Sequence, residues 1–278
     1  MSGQAAWKKH AYHAVLWLVA FIFFAPVLWI ILSSFKDLNG ILARPPLFFF
    51  RPSLENYQQL FRIPELVRDL RNSVIISLAA LVIALIVAYL AAYSFSRFRP
   101  AGTDLFMFLL LSIRMVPAAA VVVPVFLMYT AFGWKGTWGG VILYYAMFSI
   151  PFSVWILKGF IDGVSPRFDE TALVNGGSRW HVIFNVILPQ VRPGLIAAFI
   201  FNLIFVWNEF LFNFIVSSDQ TETIPVLLAV NTISDGGLNW TFITALTSLY
   251  MIPPIIVIFF FQRYLLVGMT FGTVRGEV

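Results

Sequence analysis

Six apolar runs dominate the chain, each at or near the length of about 20 residues that an α-helix needs to cross a bilayer core. They lie near residues 14–34, 72–96, 105–130, 137–157, 194–216 and 241–261. Lipid offers no hydrogen-bonding partner to backbone amides and carbonyls, so runs of this kind fold as helices that satisfy those groups internally. The expected class is therefore all-α: a polytopic membrane protein of six transmembrane helices, with one membrane domain covering residues 1–278. Composition agrees, because a chain that is 60% hydrophobic and only 11% charged carries more apolar surface than a soluble domain can bury. The first run is too long for a signal-peptide core and is expected to stay as a span.

The polar remainder is confined to a few stretches. Residues 165–193, containing PRFDETALVNGGSRWHVIFNVILPQVRP, form the main polar interruption of the second half. Ser165 followed by Pro166 reads as a helix start, and Gly176 with Gly177 as its stop. Ser178 can cap a second helix, which Pro189 is expected to end. Two short helices between two spans make either a docking surface or an amphipathic hairpin lying on headgroups. Residues 35–71 form a second polar segment. Pro45, Pro46 and Pro52 exclude regular helix from its start, and residues 54–71 read as one or two short helices broken before Pro64.

An even number of spans places both termini on one side. Lys8, Lys9, Arg97, Arg99, Lys158, Arg167, Arg179, Arg192, Arg263 and Arg275 all fall on the side of the termini and of the 165–193 loop. The positive-inside rule makes that side cytoplasmic. The six basic residues of 35–71 oppose the assignment, but that segment also carries four acids and the rule weakens in longer loops. Trp134, Trp138 and Trp240 sit at expected outer edges, where indoles concentrate.

Particular residues give the loop a family likeness. Glu170-Thr171-Ala172, Gly176 and Val186-Ile187-Leu188-Pro189 resemble, spacing included, the "EAA" loop of ABC importer membrane subunits. Thr171 stands for the first Ala of that pattern and Val186 for its Ile. LENYQQLF, Asn72-Ser73 and AAYSFSRF are similar to sugar-type permeases. The ending VGMTFGTVRGEV resembles the family's Gly-rich C-terminus, with Thr273 for Ala and Arg275 for Lys. The likeness covers the whole chain and implies the type I importer permease fold, in its shorter six-span form. It further implies a bacterial inner-membrane location with both termini cytoplasmic, and import of a sugar, oligosaccharide, polyol or sugar derivative. Implied partners are a second permease subunit, two ATPase subunits and an extracytoplasmic solute-binding protein. Glu170, Thr171, Ala172, Gly176, Leu188 and Pro189 would couple to the ATPase; Gly272, Arg275 and Gly276 of the 264–278 tail would touch it. The outer loop 217–239 either reaches the binding protein or is a solvated connector.

Chemistry of the chain's own is not expected. No Gly-x-x-x-x-Gly-Lys-Ser/Thr string occurs, so ATP and Mg would be handled by the partner ATPase. His10, His13 and His181 do not form a metal-binding pattern, and without cysteine there is neither thiolate catalysis nor a disulfide. No nucleic-acid-binding basic stripe is present. Within the spans, the third run holds only Arg114 and the fifth only Glu209 among acidic and basic residues. Arg114 lies roughly 15 Å of helix into its run, near mid-membrane. A charge there costs about 2.5–3.5 kcal/mol unless it faces water or a partner. It either lines a solute pathway or is held by a salt bridge or by carbonyls near Pro117. Trp207-Asn208-Glu209 offers an indole face and hydroxyl partners to a carbohydrate, or else packs between helices. Three alternatives remain: an ABC permease for a non-carbohydrate solute, a non-transport membrane scaffold, and an ion-coupled transporter, for which Glu209 is the only intramembrane acid in the runs.

Overall fold

The computed structural model describes residues 3–234 and 237–270. In chain order the helices are α1 (Gly3–Ser33), α2 (Leu38–Leu42), α3 (Glu55–Leu60), α4 (Pro64–Arg97), α5 (Thr103–Ile113), α6 (Ala118–Ala131) and α7 (Trp138–Asp162). There follow α8 (Arg167–Val174), α9 (Arg179–His181), a π-helical segment Val182–Ile187, α10 (Leu188–Trp207), α11 (Leu211–Val216), α12 (Ile224–Val230), α13 (Trp240–Tyr250) and α14 (Ile252–Thr270). A minimal antiparallel ribbon, Ile233–Ser234 with Gly237–Leu238, is the sole β-structure among the described residues. The expected all-helical architecture holds.

Among the described residues, five helical stretches are long and apolar enough to span a membrane: Lys8–Ser33, Pro64–Arg97, Trp138–Asp162, Arg179–Trp207 and Trp240–Tyr264. The third apolar run differs from a simple span. It breaks into α5 and α6, which meet at 93°. Tightened turns, from the Arg114 amide to the Leu111 carbonyl (3.1 Å) and from Met115 to Ser112 (3.0 Å), close α5. Val116 is disfavoured in helical geometry because a proline follows, and Pro117 (ψ 129°) leads out of the helix into α6. Pro26, Pro124 and Pro151 sit inside helices that continue past them.

The chain divides into two compact units. In the first, Met1–Leu66 with Leu227–Ile252, α13 packs against α1, α2 and α3. The segment after α1 is held by side chains. Asn56 Nδ2 donates to the carbonyls of Ser34 (2.9 Å) and Lys36 (2.7 Å), and the Ser34 and Tyr57 hydroxyls share a 2.7 Å hydrogen bond. Lys36 is buried, with Nζ donating to the Leu47 carbonyl (2.6 Å) and lying 4.1 Å from the centre of the Trp29 ring. Burial pushes this amine below the ordinary lysine range. The outer segment also ends sooner than the sequence suggests. Pro64 occupies the first position of α4, where its missing N–H costs nothing, so residues 64–71 belong to the long helix.

In the second unit, Val67–Val226 with Pro253–Val278, α7 and α10 form the main contact. Gly194 permits it: a Cβ there would stand 2.5 Å from the Phe160 ring. Ala80, Ala84, Ala88 and Ala92 recur every fourth residue along α4 and are fully buried, a stripe on which neighbouring side chains pack closely. The core joins Tyr89 and Tyr93 of α4, Leu157 and Ile161 of α7, and Val182, Ile187 and Val191. Asn72 ties the top of α4 to the carbonyls of Gln220 (2.9 Å) and Glu222 (2.8 Å).

Candidate functional site: an anchored loop and an intramembrane polar cluster

The loop after α7 is helix, turn, helix, as its residues dictate. Ser165 starts α8 through its carbonyl, which accepts from Phe168 (3.2 Å). Gly176, at φ +84°, ends it. Its amide donates to the Leu173 carbonyl (3.0 Å) and that of Gly177 to Ala172 (2.9 Å), the paired bonds of a Schellman cap. A Cβ on Gly177 would stand 2.7 Å from the Ala172 carbonyl oxygen, so both glycines are required, for different reasons. Ser178 Oγ then accepts from the His181 amide (3.2 Å) and starts the second helix.

That second helix corrects one expectation, since Pro189 does not stop it. Helix continues from Arg179 to Trp207. The π-helical turn is the reason: the Leu188 amide reaches back to the Ile183 carbonyl, so the register has already slipped where Pro189, in the first turn of α10, has no amide to offer. Leu188 and Pro189 therefore lie where the loop becomes the fifth span.

Glu170 and Thr171 are exposed on α8 and Ala172 is half-buried. Among the described residues Glu170 makes no side-chain hydrogen bond or ion pair, its own helix start included. Phe168 (50% exposed), Val174 (87%) and Trp180 (63%) surround it with apolar surface.

The anchor is the neighbouring residue, Asp169, which is buried. Its carboxylate accepts from the Tyr93 hydroxyl (2.8 Å) and from Arg97 Nε (3.1 Å). The same guanidinium donates to the carbonyls of Ile161 (3.2 Å) and Val164 (2.9 Å). Beside it, Ser96 Oγ donates to Asp162 (2.6 Å), which also pairs with Lys158 (2.8 Å). The end of α4, the end of α7 and the start of α8 are thus locked together by charge-assisted bonds. Sequence reasoning missed Asp169 and used Arg97 only as an orienting charge. The available signal was AAYSFSRF, which carries Tyr93, Ser96 and Arg97.

Arg114 lies at the elbow between α5 and α6. Nη2 donates to Asn202 Oδ1 (2.7 Å) and to the Phe148 carbonyl (3.3 Å). The guanidinium carbon lies 4.7 Å from the Phe148 ring centre and 5.0 Å from those of Phe152 and Phe205. Asn202 is fully buried and bonds Ser153 Oγ (2.9 Å) and the Ala198 carbonyl (2.8 Å). Its partners are thus an amide and a carbonyl on α7 and α10.

Trp207-Asn208-Glu209 do not converge. Trp207 is buried, and Asn208 is exposed with its amide on the Ile204 carbonyl (2.7 Å). Glu209 accepts from the Tyr145 hydroxyl (2.8 Å) and the amides of Phe212 (2.9 Å) and Asn213 (3.1 Å), capping α11. The fifth apolar run is accordingly two helices, interrupted where this carboxylate turns the chain. Gly272, Arg275 and Gly276 lie outside the described residues. No group of three or more His, Cys, Asp or Glu able to hold a metal occurs among the described residues.

The architecture is that of a polytopic membrane protein whose membrane-length helices are joined by an exposed, internally bolted helix–turn–helix. Residues 80–270 match the family described as binding-protein-dependent transport system inner membrane component, and the chain belongs to that family. It is a membrane-spanning permease subunit. Among similar proteins is the trehalose transport system permease protein SugB of Mycobacterium tuberculosis, 32% identical over 97% of this chain and 99% of its own length. The diacetylchitobiose uptake system permease protein NgcG of Streptomyces coelicolor is 30% identical over 95% of this chain and 88% of its own. A solved bacterial ABC transporter involved in import of the acidic polysaccharide alginate contains a chain of the same fold. Its TM-score is 0.78 at 20% identity, covering 95% of this chain and 98% of that one.

Proposed function

We propose that this permease imports a sugar, oligosaccharide or related derivative, working with a second permease subunit, two ATPase subunits and an extracytoplasmic solute-binding protein. The names of relatives covering nearly the whole chain, for trehalose and diacetylchitobiose, support the solute class. The carrying observation is the loop around Glu170. It exposes Phe168, Val174, Trp180 and an uncommitted carboxylate, while Asp169 fastens it to the helix ends behind it.

In this reading the ATPase grips α8, with Glu170, Thr171 and Ala172 at the contact. ATP and Mg are bound by the ATPase, and closure of its subunits pushes the loop. Because Arg97, Asp162 and Asp169 join the loop to α4 and α7, the push moves those helices together, and α10 follows through Leu188 and Pro189. The spans alternate between outward- and inward-open. The loop and both termini face the cytoplasm of a bacterial cell, and Gly272, Arg275 and Gly276 add a contact to the ATPase.

The test uses the absence of native cysteine. Val174→Cys should react with a membrane-impermeant thiol reagent only from the cytoplasmic face, and addition of the ATPase should protect it. Gly176→Val should leave insertion and assembly intact yet hydrolyse ATP without matching saccharide uptake. Labelling from outside, or full coupling in a correctly assembled Gly176→Val complex, refutes this assignment.

A further inference from the structure

The Arg114 cluster has an unfilled requirement. Arg114 appears in none of the ion pairs found among the described residues. Its Nη2 is used by Asn202 and Phe148, but Nε is buried without a hydrogen-bond partner. A guanidinium at the middle of a membrane run, without a counter-charge among the described residues and with only Nη2 hydrogen-bonded, calls for an anion from outside the chain. Ring faces stabilise a cation and can take an N–H weakly, but they do not neutralise its charge.

The surroundings indicate what carries the anion. Tyr144, Phe148 and Phe152 follow one another every fourth residue on α7 and are half-buried, so they make a ridge on a single face. Phe148 stacks on Phe205 with ring centres 4.7 Å apart, and Phe205 is 42% exposed. Tyr144 extends the row towards α11 by stacking on Phe212 at 4.4 Å. The cluster is therefore half-open, and flat aromatic faces suit the apolar face of a sugar ring. A plain structural arginine would be sealed by an acid of its own chain or fully clothed by carbonyls, and among the described residues Arg114 is neither.

We propose that Arg114, set over Phe148 and Phe152 and beside Phe205, is a specificity-determining residue that receives the anionic group of an acidic saccharide as it passes. This rests on the reading of the protein as a saccharide permease and narrows its solute class. The sugar ring rides the α7 ridge while its carboxylate engages the free side of the guanidinium. Asn202 holds the other side and fixes the direction in which the cation points.

The test is uptake by the full transporter in proteoliposomes with its binding protein. The probes are matched pairs of neutral disaccharides and their 6-carboxylates in the glucose, galactose and mannose series. Wild type should move at least one carboxylate in preference to its neutral counterpart. Arg114→Gln should cut uptake of that carboxylate tenfold or more, equivalent to about 1.4 kcal/mol, with neutral uptake changed less than threefold. Arg114→Lys should retain a substantial part of the carboxylate uptake. Wild-type uptake of neutral sugars with no carboxylate accepted overturns the proposal and leaves the saccharide assignment standing. Uptake of none of the probes counts against both. Equal loss of both classes in Arg114→Gln and Arg114→Lys, or failed assembly of both, marks a structural arginine and also overturns it.

Discussion

Replacing Asp169 by Ala tests whether the loop drives the spans through a rigid joint. The Arg97–Asp169 pair is enclosed, with side chains 9% and 7% exposed. Removing one partner of such a pair costs about 3–5 kcal/mol, because the remaining charge stays buried without compensation. Here Arg97 keeps the Ile161 and Val164 carbonyls, which brings the expectation to the low end, about 3 kcal/mol. The Tyr93 hydroxyl also loses its acceptor. This cost falls on the joint, so the loop should loosen before the bundle melts. Limited proteolysis of the purified complex should cut within 165–178 faster in Asp169→Ala than in wild type. In proteoliposomes, more ATP should be hydrolysed per solute moved. Arg97→Leu combined with Asp169→Leu should recover part of the thermal stability, with a coupling energy of about 2 kcal/mol between the sites, yet not the transport ratio. A single variant that keeps wild-type proteolysis and wild-type ATP-to-solute stoichiometry would refute the rigid-joint argument.

Three further outcomes are expected. Asn56→Ala strips acceptable donors from two carbonyls in a buried setting and should destabilise the outer segment by about 2–3 kcal/mol, read as a lower melting temperature in detergent with the Glu170 loop unaffected in proteolysis. Gly194→Leu forces a side chain onto the Phe160 ring and should prevent α7 and α10 from closing, giving loss of folded complex on size-exclusion chromatography, whereas Gly194→Ala should be milder. Lys36 carries an amine whose burial lowers its proton affinity, so the folded state releases that proton before the unfolded chain does. Stability should therefore rise with pH across the alkaline window below the ordinary lysine value, and Lys36→Met should abolish that slope in thermal unfolding scans.

What sequence disclosed follows the range over which each device acts. The loop was readable because a Schellman cap, a serine cap and a proline signal within a turn or two. Five of the six apolar runs were readable as membrane-length helices because hydrocarbon thickness sets their length, whereas the 93° bend in the third was not. The anchor was not: Arg97 and Asp169 stand 72 residues apart, and nothing local tells which of two adjacent acids, Asp169 or Glu170, turns inward. Arg114 and Asn202 are separated by 88 residues, so the amide partner could not be named from the run alone. Prolines also divide in a way composition does not reveal. Pro117 parts two helices at 93°, whereas Pro151 is buried inside a helix that continues. Pro189 was misread for a related reason, since a register slip earlier in the helix had already removed the need for its amide.

The carboxylate that starts α11 has a bearing on energetics at large. Glu209 is engaged by two backbone amides and a tyrosine hydroxyl. Bonds to a charged group are each worth about 1.5–3 kcal/mol, so replacing this side chain would let the short helix fray. An acid committed in this way serves the turn between α10 and α11, so the break in the fifth run is held by a side chain from within the run itself.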